Sequence, residues 1–296
     1  MSSERLLTQL VKTVSYFSFF SYVPTIEEIW QFLPEKVTLH QLRREINVAL
    51  KKYGGLRKEK GYLFLRGGGG IDIGSIERRK AISEKKLRQA HNMSFIFRIN
   101  PFISFVGVTG SVAANNAKEC DDIDVFVISY PHRMWIARLV MMSLLALWRK
   151  RRTPSDTDVR DKVCCNLWFD GTDISIPAAR RTLFTAREIL LLKPLMSRQG
   201  IQRNDEDTYT TFIRVNKWIY DFLPNITDAN LPRKDNVIKK LQRPQQYGVL
   251  GLLANELAKM IQKKIMRPVS KEYITDTQLW FFPRDMSVLL RNKGLV

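Results

Sequence analysis

Two aspartates one residue apart, Asp122 and Asp124, open the apolar run "DIDVFVIS", and an earlier apolar run, "FISFVGV", leads into Gly110-Ser111. Ten residues separate Ser111 from Asp122. Side chains alternate along a strand, so both carboxylates share one face, roughly 6–7 Å apart at their Cα atoms, while Ile123 and Val125 turn into a core. Carboxylates beside a core are costly unless something compensates them. A divalent cation, which takes oxygen ligands, is the leading candidate. Ser111 follows a glycine at the start of a short predicted helix, "SVAANNAK", where free backbone N–H groups and the helix dipole favour phosphate oxygens. Phosphate at one end and metal at the other fit a nucleoside triphosphate with magnesium. The competing reading is an acidic strand start, Asp121 included, whose side chains cap a loop.

The elements that must hold these residues can be read along the chain. Residues 1–66 predict three helices and a hairpin. "PTIEEIWQFL" begins with good first-turn residues, and "TLHQLRREINVALKKY" opens on Thr38 and places Leu39, Leu42, Ile46, Ala49, Leu50 and Tyr53 on one side. The other side of that third helix carries His40, Arg43, Arg44, Asn47 and Lys51. "LRKEKGYLFL" reads as two strands about Lys60-Gly61. Gly67 to Gly70 form a break without phosphate-loop context, and a long basic helix over about 75–98 leads to the next unit. From residue 101 to 200 the pattern alternates: "FISFVGV" and "DIDVFVIS" as strands, Met134–Trp148 as a helix, "VCCNLWFD" and "DISI" as strands, and "TLFTAREILLLKPLM" as a helix stopped or kinked near Pro194. Residues 201–296 read as mostly helical. The expected class is α+β, in four parts: 1–66, a linker with connecting helix over 67–100, a central α/β domain with a mixed sheet over 101–200, and a helical region over 201–296.

Gly110-Ser111, the gap of ten, Asp122-Ile123-Asp124, the lead-in "FVGVTGS" and the follow-on "DDIDVFVI" together resemble the signature of the DNA polymerase beta-like nucleotidyltransferase superfamily. The chain is also similar to uncharacterised bacterial proteins that join a winged helix to such a domain, through "NLWF", "LFTAREI", "NKWIYDFLPN" and "LWFFPRD". This resemblance implies a winged-helix-like domain at 1–66 and a nucleotidyltransferase domain at 101–200. It also implies a reaction in which a nucleoside monophosphate passes from an NTP to an acceptor hydroxyl. In that reading two Mg²⁺ ions sit on Asp122 and Asp124, and Gly110 and Ser111 hold the β- and γ-phosphates. Active members of the superfamily usually carry a third carboxylate on a neighbouring strand. The matching strand here offers Asn166 in its interior, Asp170 at its end and Asp173 just beyond. Asp170 is the favoured third member, with Asn166 and Asp173 as alternatives, and an inactive domain acting as a regulator is the rival outcome.

Composition sets wider bounds. Lys and Arg number 48 against 29 Asp and Glu, a net charge of +19 that is spread along the chain without a basic tail. It favours polyanionic partners, DNA or RNA among them. For the third helix, contact with DNA through Arg43, Arg44 and Lys51 stands beside the plainer reading of a solvated basic face. The clusters Arg149–Arg152 and Arg180, Arg181 and Arg187, and the pair Arg284 and Asp285, carry the same double reading. Cys120, Cys164 and Cys165 make no disulfide framework and imply a reducing, cytoplasmic setting, with the vicinal pair serving as small apolar residues. Three scattered histidines outline no zinc site. The longest apolar segment, Met134–Trp148, has 15 residues and contains Arg138, so a buried helix is expected and no transmembrane segment.

Overall fold

The computed structural model describes residues 3–52, 54–66, 73–199, 206–228, 231, 248–266, 272–282 and 286–295. The first unit consists of α1 (Ser3–Phe19), α2 (Ile26–Phe32), α3 (Leu39–Lys52) and the hairpin β1 (Leu56–Glu59) with β2 (Tyr62–Leu65). A capping box starts α2: the Thr25 hydroxyl accepts from the Glu28 amide, and the Glu28 carboxylate accepts from the Thr25 amide. Helix α3 buries Leu42, Ile46 and Ala49, half-buries Leu39 and Leu50, and leaves His40, Arg43, Arg44, Asn47 and Lys51 exposed, in line with its periodicity; Tyr53 lies outside the described residues. Lys60 and Gly61 both take positive φ in the two-residue hairpin turn, the geometry that matches strand twist.

The predicted connecting helix is two helices, α4 (Ile73–Asn92) and α5 (Ser94–Ile99). Next come β3 (Ile103–Val108), α6 (Gly110–Ala113), β4 (Ile123–Ser129), α7 (Met134–Leu147), β5 (Val163–Phe169), α8 (Leu183–Leu191) and β6 (Lys193–Ser197). The remainder holds α9 (Thr208–Val215), α10 (Ile219–Phe222), α11 (Gly248–Ile265), β7 (Tyr273–Ile274), β8 (Gln278–Trp280) and α12 (Met286–Asn292). Six strands form one mixed sheet in the order β6-β3-β4-β5-β8-β7, with β4 and β5 parallel and the other neighbours antiparallel. The class is α+β. One sheet face buries Val106, Val108, Ile123, Val125 and Val127 together with residues of α5 and α7. The other buries Phe105, Phe126, Ile128 and Phe169 with α8 and α9, and this core runs without a break into the first unit.

Three local expectations change. Pro194 does not kink a longer helix; α8 ends at Leu191, and Lys193–Ser197 become an edge strand on β3, where the missing N–H of a proline is tolerated. "DISI" forms no strand: Ile174 and Ile176 are buried in irregular backbone. The sheet also gains β7 and β8 from a region expected to be helical, because β8 pairs with the free edge of β5. Gly67–Gly70, Arg284 and Asp285 lie outside the described residues.

The first unit is locked to the body by buried polar side chains as well as by apolar contact. Asn225 accepts from the Val37 amide at 2.9 Å and donates to the carbonyls of Trp30 at 3.0 Å and Glu35 at 2.8 Å. Arg187 of α8 lies 4.1 Å over the Tyr16 ring and donates to the Phe32 carbonyl at 2.8 Å. Asn225→Ala strands these buried backbone groups and should cost about 2–4 kcal/mol. Urea unfolding should show a lower midpoint at an unchanged slope; an unmoved midpoint would refute the role given to Asn225.

Candidate functional site

The site grows from the start of β4. Asp122 precedes the strand and Asp124 is its second residue, turned to the α8 side while Ile123 and Val125 fill the opposite core. The Thr109 amide donates to the Asp124 carbonyl at 3.0 Å and closes the end of β3 onto β4. Gly110 follows with φ +64°, and a Cβ built there would stand 2.5 Å from Asp124 Oδ2. Glycine is therefore required twice, by the backbone and by the carboxylate against it. On the other side Asp124 faces Cys164 of β5, and the β4–β5 register slips between Asp124 and Phe126. Such an irregularity re-aims side chains, and here both Asn166 and Leu167 line the same cavity. Asn166 Nδ2 donates to Asp124 Oδ1 at 2.7 Å, and Asn166 Oδ1 is buried with no hydrogen-bond partner. Ligand atoms of Asp122, Asp124 and Cys164 all fall within 4.8 Å of one another. Arg152 Nε lies 3.0 Å from Asp122 Oδ2, and Arg152 Nη1 donates to Cys164 Sγ at 3.2 Å.

Gly110, Asp124, Arg152, Cys164 and Asn166 border a cavity of about 520 Å³, with Asp122 just outside its lining. Asp124, Asn166 and Cys164 line it from the sheet, and Glu188 lines it from α8. Phe126, Phe169, Phe184, Phe212, Trp280 and Phe282 make it largely aromatic, and Arg152, Arg180 and Arg291 contribute guanidinium groups. The Arg180 guanidinium lies 4.8 Å from the Trp280 ring centroid and 4.9 Å from that of Tyr273.

Electrostatics mark the acidic end. Burial, then the Asp122 charge, pushes Asp124 up to about 7. Burial, then the Asp124 charge, pushes Glu188 up to about 7. Asp122 is raised by burial against the opposing pull of Arg152. The Cys164 thiol is pushed up to about 12 by burial and by Asp124, so it stays protonated beside the carboxylates. Asp122, Asp124 and Cys164 form the group whose ligand atoms lie close enough together to hold a metal ion.

The other predicted residues fall in different places. The Ser111 hydroxyl donates to Asp121 Oδ2 at 2.9 Å, which also accepts from the Lys118 amide, so Asp121 serves the loop and does not join the pair. Asp170 is a correction. In the parallel β4–β5 pair it falls at the far end of β5, about 13 Å along the strand from Asn166 at the usual rise. There it accepts from the amides of His132, Arg133, Met134 and Thr172 and from the hydroxyls of Ser129 and Thr172, anchoring the start of α7. Asp173 accepts from Thr277 Oγ1 at 3.0 Å in the same far region and does not line the cavity either. Arg43 of α3 is paired with Glu27 at 2.7 Å, Arg44 lies 3.9 Å from Glu45, and Lys51 is exposed. Of the arginines with a double reading, Arg152 and Arg180 reach the cavity, while Arg187 is buried against Tyr16. Glu188 was not foreseen; its one sequence signal is an acid placed inside the apolar helix "TAREILLL". No family model matches the chain, and no curated protein or solved structure shows significant similarity to it.

The raised carboxylates have a consequence for stability. Asp124 and Glu188 titrate near 7 when folded and near 4 when unfolded, so folding takes up protons between those values. The contribution of the two groups is fully present below about pH 4 and is lost as pH rises through about 7. In chelator, the Asp124→Asn protein should gain stability over the parent as pH rises through this window, reaching a thermal midpoint about 2–4 °C higher per kcal/mol recovered. A difference between the two proteins that ignores pH would contradict this electrostatic assignment.

Proposed function

We propose that the protein is a divalent-cation-dependent nucleotidyltransferase, moving a nucleoside monophosphate from an NTP to an acceptor hydroxyl, with the central sheet as a polymerase-beta-like domain and residues 1–66 as a winged-helix-like unit. The observation that carries this reading is that Asp124, Asn166 with its unpartnered oxygen, Glu188 and three arginines line one aromatic cavity, with Asp122 within 4.8 Å of the Asp124 carboxylate. The resemblance of Gly110-Ser111 and Asp122-Ile123-Asp124 to that superfamily supports it independently.

Asp122 and Asp124 would hold the cation, Mg²⁺ as a single ion or a pair, with Asn166 Oδ1 as a neutral oxygen nearby. A bound cation supplies charge neutralisation to the triphosphate and its leaving group. The Gly110-Ser111 turn, with no side chain at Gly110, lets the phosphates approach the carboxylates. Arg152, Arg180 and Arg291 offer guanidinium groups to phosphate oxygens, and Phe184, Trp280 and Phe282 offer ring faces to the base. Glu188 takes the part expected of Asp170: its carboxylate receives the acceptor's hydroxyl proton, a role suited to an acid that titrates near neutrality. The oxygen freed by that proton attacks the α-phosphorus, and pyrophosphate leaves.

Incubation with Mg²⁺ and each α-labelled NTP, in the presence of cell extract, should transfer label and release pyrophosphate. Asp122→Ala and Asp124→Ala should lower transfer at least about 100-fold, or roughly 3 kcal/mol of barrier. Triphosphate binding measured by calorimetry that is indifferent to both Mg²⁺ and Asp124→Ala would remove the reading. Glu188→Gln should slow transfer by about 10²–10⁴-fold while leaving triphosphate affinity within a fewfold; full activity in that variant would exclude Glu188 as the base.

A second reading, a regulator that binds duplex DNA or RNA through α3, draws on the exposed Arg44 and Lys51. The Glu27–Arg43 pair weakens it by removing one cation from that face.

A further inference from the structure

Helix α11 is built inside out. Its buried residues are Gly251, Asn255, Ala258 and Gln262, a small and polar stripe pressed against α7. Asn255 Oδ1 accepts from the amides of Trp135 at 3.0 Å and Ile136 at 3.2 Å. Gln262 Nε2 donates to the Trp135 carbonyl at 2.6 Å, and Gln262 Oε1 accepts from Arg138 Nη1 at 2.6 Å. The outward face carries Val249, Leu250, Leu253, Leu257, Met260, Ile261 and Ile265, with Leu250 81% and Ile265 73% exposed. A helix packed on a globular body normally shows the reverse pattern.

The exposed stripe runs about 24 Å at the usual helical rise. Six of its seven large apolar side chains are more than half exposed, a contiguous patch of the kind that marks an interaction surface. Its charges point to the kind of partner. The chain carries +19 overall, yet beside the stripe Lys259 is paired with Glu256 at 2.7 Å and Lys263 with Asp276 at 2.8 Å. Two of the three lysines near the end of α11 are thus compensated and Lys264 is exposed without an acid beside it in the helix, so an anionic bilayer meets one free cation at this face among the described residues, and the apolar stripe suits a second protein surface of the same kind.

Spacing narrows the choice further. Two copies of α11 laid antiparallel about Leu257 set Leu257 on Leu257, Leu253 on Ile261 and Val249 on Ile265. The same arrangement lays the aliphatic stem of Lys264 over Leu250. A parallel pairing would oppose Lys264 to Lys264. The antiparallel arrangement is the self-complementary patch that a two-fold dimer requires.

We propose that the protein associates with a second copy of itself through α11, the two helices crossing antiparallel at Leu257. Sedimentation of the full chain at tens of micromolar should show a dimer. Leu253→Glu with Leu257→Glu should weaken it at least about 100-fold, while circular dichroism stays that of the parent and the thermal midpoint matches the parent's at a concentration low enough to dissociate it, since both side chains face solvent within one copy. In a Cys120→Ser background, Leu257→Cys should form an intermolecular disulfide under mild oxidation, and Val48→Cys on the distant α3 should not. A parent that sediments as a monomer would overturn the proposal. So would a dimer that survives the double substitution, or a monomer that co-sediments with phosphatidylserine vesicles through this face.

Discussion

Like charges in a poorly hydrated space set the terms for this molecule. Asp124 lies against Gly110, Asn166 and Cys164, with Asp122 on one side and Glu188 across the cavity. Arg152 compensates Asp122 in part, and the Asp124 charge raises Glu188 across the cavity they share. The fold tolerates this because the sheet behind Asp124 is continuous and apolar on its opposite face, so neither strand can shift to relieve the repulsion. A site held in that state is stabilised by whatever brings positive charge to it.

Precise placement comes from small local devices. A glycine lets a carboxylate approach the turn after β3. A slip in the β4–β5 register brings Asn166 to the cavity. Along α8, Arg187 turns into the first unit while the next residue, Glu188, borders the cavity. Neighbouring residues of one helix thus serve the contact with residues 1–66 and the cavity wall.

Buried polar side chains recur as fasteners. Asp170 holds the start of α7, Asn225 the loop after α2, and Asn255 and Gln262 the α7–α11 contact. Each satisfies backbone groups that would otherwise be buried unpaired, which makes each contact specific as well as stabilising. At α11 this solution leaves the apolar side facing out.

Alternation along a strand and periodicity along a helix are local, and they were legible. The shared side of Asp122 and Asp124, the turn at Gly110, the buried and basic sides of α3, and the α+β class all follow from neighbours in sequence. Asp170 shows where that reading stops. Its strand was predicted, but which end of β5 would lie beside Asp124 depends on the parallel pairing with β4, a contact between residues about forty positions apart. Glu188, the edge strand after Pro194, the β7–β8 addition and the outward side of α11 have the same origin. Composition and spacing determined which residues could do chemistry and how each segment would curl or extend. Only the tertiary structure decided which carboxylates meet, because their separation in space is set by sheet register and helix packing.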